Sequence, residues 1–351
     1  MKIAVFGWYG HNNAGDERIK FCLSHFLMNL GGIKNVDFFD LHEYAIKGAT
    51  NQFDHYDLVI IGGGGLILSR YNYHDFILGI KTKLITIGIS VETELKGNPK
   101  KFVLALLEKS EFFLVRDSSS AEKIYPFDIY KKVKISSDLT FLRPYNSVKI
   151  ENNNLIGINL LPKPKDFKYS TLSMPMFSFG LSNLARIGFS NILRIIDFQD
   201  MINTLKQEFN ILPIPLCCTR QGTGLPVYQK NDVEFLKTYF SKVSENFCDA
   251  LIDQVSVFLS MRLHGSIFAV QKGIPVVSFS YLPKNKNFMK EVGLEEFVLE
   301  HLNPNNIHEL LLKSLKHKEL IRQKMLLFTE KASKKICNDL INIMNLIKQV
   351  K

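Results

Sequence analysis

Short apolar runs alternate with amphipathic segments through the first 140 residues of the chain. The runs have the length of buried β-strands, and they cover 2–7, 36–41, 56–61, 84–89, 112–115 and 133–135. Turns and segments with apolar residues at three-to-four spacing, such as 19–30, lie between them. A repeated strand-turn-helix order is typical of a parallel sheet with helices on both faces. This half therefore predicts a doubly wound α/β domain.

The same alternation resumes in the second half. Residues 143–154 lose apolar periodicity and are rich in Pro, Lys and Asn, which predicts a linker. Beyond it the pattern predicts strands over 155–160 and 211–216, helices over 197–209 and 233–239, and a largely helical segment from 304 onward. A chain of 351 residues can bury two cores. We predict domains over 1–145 and 152–330, followed by a C-terminal helix over 331–351.

Residues 163–196 do not fit this alternation. Five basic residues and one acid are interleaved there with Met, Phe and Leu. One interpretation is an irregular insertion folded over the core. The other is a basic, apolar lip that receives a lipid-linked or membrane-proximal substrate, which predicts a peripheral membrane contact.

Charge and cysteine content narrow the class of protein only slightly. The net charge of +10 favours anionic partners, although a generally basic proteome explains it equally well. The five cysteines show no metal-ligand spacing, and their odd number favours a reducing compartment. No run of 18 apolar residues is present. We expect a cytoplasmic protein without a bound metal.

The stretch 258–286 carries the clearest chemistry. A strand pattern leads to Arg262 and His264, a helical segment ends at Gly273 in the manner of a left-handed cap, and a second strand pattern precedes Lys284. A basic turn between a strand and a helix predicts an anion site, because ligands bind beyond the carboxyl ends of parallel strands. The alternatives are that Arg262 pairs with a carboxylate and that His264 is a hydrogen-bonded core residue.

Three turns in the first half are further candidates. The segment 7–17 is rich in glycine but lacks the GxGxxG spacing of a nicotinamide or flavin site, and Asp16 is a plausible N-cap for the helix behind it. The four glycines 62–65 predict either a tight backbone crossing or a cradle of amides facing a ligand. Arg116 precedes an Asp/Ser cluster expected to cap a helix.

Several motifs resemble those of the polysaccharide pyruvyl transferase family and occur in the family's order. They are GWYGHNNAGDERI, GGGGLIL, LVRDSSS, SDLTF and SMRLHGSIFAVQKGIPVVSFSY followed by KNKNFMKEVG, and they span 7–293. The resemblance implies two Rossmann-like domains facing a cleft, as in the B-type glycosyltransferases. It also implies transfer of a pyruvyl group from phosphoenolpyruvate to sugar hydroxyls, forming a ketal and releasing phosphate, without a cofactor.

Roles follow from that resemblance together with the residue chemistry. Phosphoenolpyruvate carries a phosphate and a carboxylate, so its pocket needs cations and amide donors, and ketal formation needs a general acid and a base. We expect the catalytic residues to be His264, Asp16 and Glu17. We expect the donor to be bound by Arg262, His264, Lys284, Arg116, Gly63, Gly64 and Gly65. We expect the acceptor to be bound in the N-terminal domain by Tyr9, Asn12 and Asn13.

Two other functions stay open at this point. One is a glycosyltransferase that uses a nucleotide sugar, because a Rossmann-like fold alone does not choose a donor. The other is a non-catalytic glycan- or nucleic-acid-binding protein that uses the positive charge. Nucleic acid is the weaker alternative, since the chain has no aromatic-basic module for it. The expected acceptor is a sugar or a lipid-linked glycan, which would place the protein at the inner face of the membrane, and the sequence predicts no oligomeric state.

Overall fold

A computed structural model describes residues 1–30, 33–48, 50–68, 73–150, 153–161, 198–218, 231–280, 282–300 and 303–349. The chain forms two compact units. Unit 1 contains Met1–Tyr145 and Leu327–Lys351, and unit 2 contains Asn146–Leu326. The predicted insertion 163–196 lies outside the described residues.

Unit 1 is built on a six-stranded parallel sheet with the order β2-β1-β3-β4-β5-β6. Its strands are β1 (Lys2–Gly7), β2 (Asn35–Asp40), β3 (Leu58–Ile67), β4 (Leu84–Val91), β5 (Ser110–Val115) and β6 (Val133–Ile135). Its helices up to this point are α1 (Ala14–Met28), α2 (Leu41–Lys47), α3 (His74–Gly79), α4 (Gly97–Lys109) and α5 (Ser118–Ile124). All eight residues of β4 are buried, as expected for a central strand covered on both faces.

Unit 2 is built on a five-stranded parallel sheet with the order β11-β10-β9-β7-β8. Its strands are β7 (Leu155–Asn159), β8 (Asn210–Pro213), β9 (Val257–Ser260), β10 (Val276–Phe279) and β11 (Val298–Leu299). The helices are α6 (residues 198–205), α7 (Asp232–Leu236), α8 (Ala250–Asp253), α9 (Leu263–Lys272), α10 (Pro283–Val292), α11 (Pro304–Lys316) and α12 (Lys318–Gln349), whose residues from Leu327 onward belong to unit 1. The prediction of two parallel-sheet α/β domains is confirmed.

Each sheet has one place where the strand order reverses. In unit 1 it lies between β1 and β3, and in unit 2 between β7 and β9. Ligands of open α/β sheets bind beyond the carboxyl ends of the strands at such a place, because the loops there diverge and leave a crevice. These two edges are therefore where a site is sought.

Three local predictions need correction. The helix α1 begins at Ala14 and its N-cap is Asn13 rather than Asp16, since the Asn13 side chain accepts from the Gly15 N–H. Strand β3 continues through the glycine run to Ile67 instead of ending before it, because pairing with β4 holds the backbone extended. The C-terminal helix begins at Lys318 rather than at 331, as nothing in the 318–330 sequence interrupts helical periodicity.

Candidate functional site

At the reversal point of unit 2, a buried asparagine joins the ends of β7 and β9. Asn159 is the last residue of β7 and is fully buried. Its Oδ1 accepts from the Arg262 main-chain N–H at 3.1 Å, and its Nδ2 donates to Asp232 Oδ2 at 3.0 Å. The turn after β9 is therefore held by side chains from two other segments.

Asp232 holds the guanidinium of Arg262 from within the unit. It is fully buried, and its Oδ2 accepts from Arg262 Nε at 2.7 Å while its Oδ1 accepts from Nη2. The main-chain N–H groups of Leu216 and Cys217 also donate to this carboxylate, at 3.0 and 3.1 Å. Arg262 was expected to hold a donor anion through two parallel hydrogen bonds. Instead, Asp232 occupies that two-point edge, as the carboxylate-pair interpretation anticipated.

The amino ends of α9 and α10 lie beside the carboxyl ends of the adjacent strands β9 and β10. Arg262 and Leu282, the residues at the two N-cap positions, provide no side-chain cap. His264 and Lys284 stand in the first turns of these helices, and both are partly buried. The His264 ring lies 6.0 Å from that of Phe268, centroid to centroid. The first main-chain N–H groups of a helix have no partner within the helix, so two helix starts form a concentrated set of donors.

Asn285 fixes these two helix starts to the sheet. Its side chain is fully buried, and Nδ2 donates to the carbonyls of Met261 at 3.0 Å and Phe279 at 3.1 Å. Those carbonyls belong to the residues that end or directly follow β9 and β10. Because Asn285 is itself on α10, it ties that helix to the turn that begins α9.

In unit 1, the turn between β1 and α1 is held mainly by its own residues. Tyr9 is 5% exposed and its hydroxyl donates to the Gly62 carbonyl at 2.7 Å. Burial raises the pKa of Tyr9, and the charges of Asp16 and Glu17 raise it further. Tyr9 and Asn13 were expected to contact the acceptor, but their polar groups bond to Gly62 and to α1. Asn12 adopts a left-handed conformation with φ 52°.

The two acids of this turn differ in their surroundings. Glu17 Oε1 accepts from the main-chain N–H groups of Gly10 at 2.6 Å and His11 at 3.2 Å, so it shapes the turn. Asp16 is 8% exposed and lies against the glycine run. A Cβ at Gly64 would come within 2.8 Å of Asp16 Oδ1, and Gly64 has φ +81°.

The glycine run is therefore a packing device before it is a cradle. Side chains at Gly63 and Gly65 would collide with Ile19 of α1 and with Glu92 after β4, respectively. The interpretation as a tight crossing describes this segment, in which small residues let two acids approach one strand. Donor binding by Gly63, Gly64 and Gly65 remains a prediction.

Arg116 is an internal cation. It is 7% exposed, its Nη2 donates to Ser90 Oγ at 2.7 Å, and its Nη1 lies 3.4 Å from Asp138 Oδ2. Burial opposes its charge, but the charges of Asp138, Asp117 and Glu92 outweigh that and raise the pKa of Arg116. Its expected role in donor binding is corrected to a structural one, because its guanidinium is enclosed by unit 1 itself.

A histidine–carboxylate pair at the same edge was missed by the sequence reasoning. His11 Nε2 bonds to Asp40 Oδ2, and its ring stacks on Trp8 at a centroid distance of 4.1 Å. Burial alone would raise the pKa of Asp40, but the hydrogen bond from His11 and those from the Glu43 and His42 amides lower it. The signal was the end of β2 at Asp40, since parallel neighbours end at one edge and Asp40 pairs with Gly7.

Two searches bear on the kind of protein. Within the described ranges, no group of three or more His, Cys, Asp or Glu side chains is arranged to hold a metal ion. No helix of the described chain is both long and apolar enough to cross a membrane.

The fold places the chain among two-domain α/β proteins. A UDP-GlcNAc 2-epimerase from Neisseria meningitidis, solved with UDP-GlcNAc, aligns over 97% of this chain and 100% of its own, with a TM-score of 0.56 and 13% identity. S. aureus MnaA with UDP aligns over 99% of this chain and 97% of its own, with a TM-score of 0.55 and 12% identity. These likenesses define the fold alone.

The family follows from the sequence comparison. A family model described as polysaccharide pyruvyl transferase matches residues 13–283, and the chain belongs to that family. The amylovoran biosynthesis protein AmsJ of Erwinia amylovora is 23% identical over 268 residues. That match covers 70% of this chain and 62% of AmsJ, less than two-thirds of the relative's length.

Proposed function

We propose that the protein transfers the pyruvyl group of phosphoenolpyruvate to two hydroxyls of a sugar in a cell-surface polysaccharide or its precursor. The family supports a transferase of this kind. The structural observation that carries the proposal is the pair of helix starts at the end of β9 and β10, with His264 and Lys284 in their first turns. Two anionic groups on a small substrate match two sets of amide donors and two basic side chains.

The donor is assigned to this edge of unit 2. Its phosphate and carboxylate accept from the first amides of α9 and α10, and Lys284 and His264 add charge or hydrogen bonds. Arg262 acts by positioning, because its charge is largely offset by Asp232 while its main chain begins α9. Helix-start amides are well suited to a dianion, since they provide directed donors without counter-charges.

The acceptor is assigned to the edge of unit 1, where carboxylates predominate. One sugar hydroxyl adds to the central carbon of the donor while the methylene carbon gains a proton. The second hydroxyl then adds as the carbon–oxygen bond to phosphate breaks. One hydroxyl proton thus ends on the new methyl group and the other leaves with hydrogen phosphate. Asp16 and the His11–Asp40 pair are the bases for the hydroxyls, and His264 is the acid.

No metal or cofactor enters this balance. The acceptor is a free, nucleotide-linked or lipid-linked sugar. The reaction belongs in the cytoplasm, and at the inner face of the membrane if the acceptor is lipid-linked.

Phosphate release from phosphoenolpyruvate in the presence of glycan acceptors tests the proposal. The wild type should release phosphate only with a suitable acceptor. His264→Ala should lower turnover by roughly 10²-fold or more, the effect of losing a general acid, and the exposed His55→Ala should match the wild type. Equal rates for His264→Ala and the wild type would contradict the assignment.

A nucleotide screen separates this function from nucleotide-sugar transfer. The structurally similar epimerase binds UDP-GlcNAc, so UDP and UDP-GlcNAc are the probes. We expect phosphoenolpyruvate, and not UDP or UDP-GlcNAc without an acceptor role, to raise the unfolding temperature. A larger shift with UDP than with phosphoenolpyruvate would favour a glycosyltransferase.

A further inference from the structure

Unit 1 carries an exposed apolar and aromatic projection far from either strand-reversal point in sequence. We call residues 125–132, which connect α5 to β6, the β6 tip. Ile129 is 80% exposed, the largest value recorded for a big apolar side chain among the described residues. Tyr130 and Tyr125 are 53% and 48% exposed. Single exposed apolar residues are ordinary, but three within six positions form a patch that needs an explanation.

Hydrogen bonds hold this projection in its outward conformation. The Asp128 carboxylate accepts from the N–H groups of Lys132 at 3.1 Å and Val133 at 2.7 Å. The Lys132 ammonium donates to the carbonyls of Leu107 and Ser110, at 3.1 and 2.8 Å, and so ties the tip to the end of α4. Lys131 has φ 52°, a conformation that a non-glycine residue keeps only where its surroundings impose it. The tip is a built feature, and Ile129 cannot turn inward without breaking these bonds.

Basic side chains surround the apolar residues. Lys131 and Lys134 are exposed, and α4 contributes the exposed Lys100 and Lys101. The Lys100 ammonium lies 4.9 Å from the centre of the Phe127 ring, which brings α4 and the tip together. Asp128 is the single acid within the tip, and its carboxylate is bonded to the tip's own main chain.

We propose that the β6 tip docks on an anionic lipid bilayer. Ile129 enters the headgroup region, the two tyrosine rings lie at the interface, and the lysines contact lipid phosphates. An apolar point flanked by tyrosines and ringed by lysines is the pattern of a peripheral membrane contact, because each group then meets its preferred depth. The tip, rather than the predicted insertion 163–196, carries this inference.

The size and charge of the surface favour lipid over a protein partner. Three protruding side chains offer much less than the roughly 800 Å² that each partner buries in a stable protein complex. A second copy would meet the patch with the same patch in a two-fold dimer, so lysines would face lysines. A bilayer needs no shape match and provides many negative charges.

Co-sedimentation of the full chain with sucrose-loaded vesicles tests the proposal, using phosphatidylcholine alone and an equimolar mixture with phosphatidylglycerol. We expect binding to the anionic vesicles that weakens with added salt. Ile129→Glu should lower the partition coefficient about tenfold, since it removes an apolar insertion and adds a repelled charge. Ile46→Glu is the matched control: Ile46 is 71% exposed on α2, beside Lys47, and should bind as the wild type does.

The outcomes separate cleanly. Thermal unfolding should be unchanged in both variants, since both positions are exposed, and Lys131→Glu with Lys134→Glu should abolish the preference for anionic vesicles. Equal binding by Ile129→Glu and the wild type would overturn the proposal. So would no preference of the wild type for phosphatidylglycerol, or an equal loss in Ile46→Glu. None of these results depends on pyruvyl transfer.

Discussion

Arg116 in unit 1 and Arg262 in unit 2 occupy similar places in their sheets. Each follows a buried strand within two residues and directly precedes a helix start, yet their surroundings differ. Arg116 is followed by Asp117, whose carboxylate caps α5 by accepting from the Ser120 N–H at 2.8 Å. Arg262 is followed by Leu263 and His264, and its helix has no such cap from the N-cap residue.

The difference shows how one short motif produces a closed turn or an open one. In unit 1 the turn satisfies its own donors, and Arg116 is enclosed by Ser90, Asp117 and Asp138. In unit 2 the guanidinium is held from below by Asp232, so the helix start stays available to a ligand's acceptors. Arginine alone therefore does not mark a site, and the residue that follows it matters as much.

The largest expected effect comes from removing the carboxylate under Arg262. Asp232→Ala leaves a buried guanidinium and Asn159 without their partner, which should lower the free energy of unfolding by about 3–5 kcal/mol. Asp117→Ala should lower it by only about 1 kcal/mol, because Arg116 keeps Asp138 and Ser90 and only a cap is lost. Urea unfolding followed by circular dichroism measures both. Equal losses would remove the contrast between the two arginines.

A smaller effect tests how the edge of unit 1 is packed. Gly64→Ala should lower the free energy of unfolding by about 2–3 kcal/mol, since a strained φ adds to a clash with Asp16. Gly10 has a similar φ of +83° but open space around the position of a Cβ, so Gly10→Ala should lower it by about 1 kcal/mol. The same unfolding experiment compares them. If the two variants were equally stable, the close approach of Asp16 would be unimportant.

The acid response of unit 1 provides the mildest test. The pKa of Asp40 is lowered in the folded state, so its contribution to stability is present above its unfolded pKa of about 3.9 and is lost as pH falls through the folded pKa. His11→Gln weakens this lowering and should move acid unfolding to higher pH. His55→Gln, at an exposed position, should leave the acid midpoint unchanged. An unshifted midpoint in His11→Gln would mean that the pair adds no stability.

Strand positions could be predicted well from the sequence because parallel core strands are continuous apolar runs. The exception is informative. The glycines 62–65 have turn-like propensities, but Gly62 pairs with Ile87 and Gly64 with Ile89, so the sheet extends where local preference predicts a turn. Helix caps were ambiguous for a related reason: Asn13 and Asp16 are both good capping residues, and only the extended backbone at Asn13 decides between them.

The candidate site was predictable only in part. Arg262 and His264 stand out because they interrupt an apolar pattern at a strand-to-helix turn. Asp232 could not be assigned to Arg262, since 30 residues separate them and their contact depends on how α7 is placed against β9. His11 and Asp40 meet for the same kind of reason, through the register of β1 and β2. Such pairs follow from strand order, which no local pattern specifies.

Calorimetric titration with phosphoenolpyruvate tests the central claim most directly, namely that the donor binds at the edge of unit 2. His264→Gln and Lys284→Ala should each weaken binding by about tenfold, the loss of one charge-assisted hydrogen bond. Asp16→Asn in unit 1, and Lys286→Ala two residues along α10 from Lys284, should bind within about twofold of the wild type. Unchanged affinity in both His264→Gln and Lys284→Ala, with a loss in Asp16→Asn, would contradict the account.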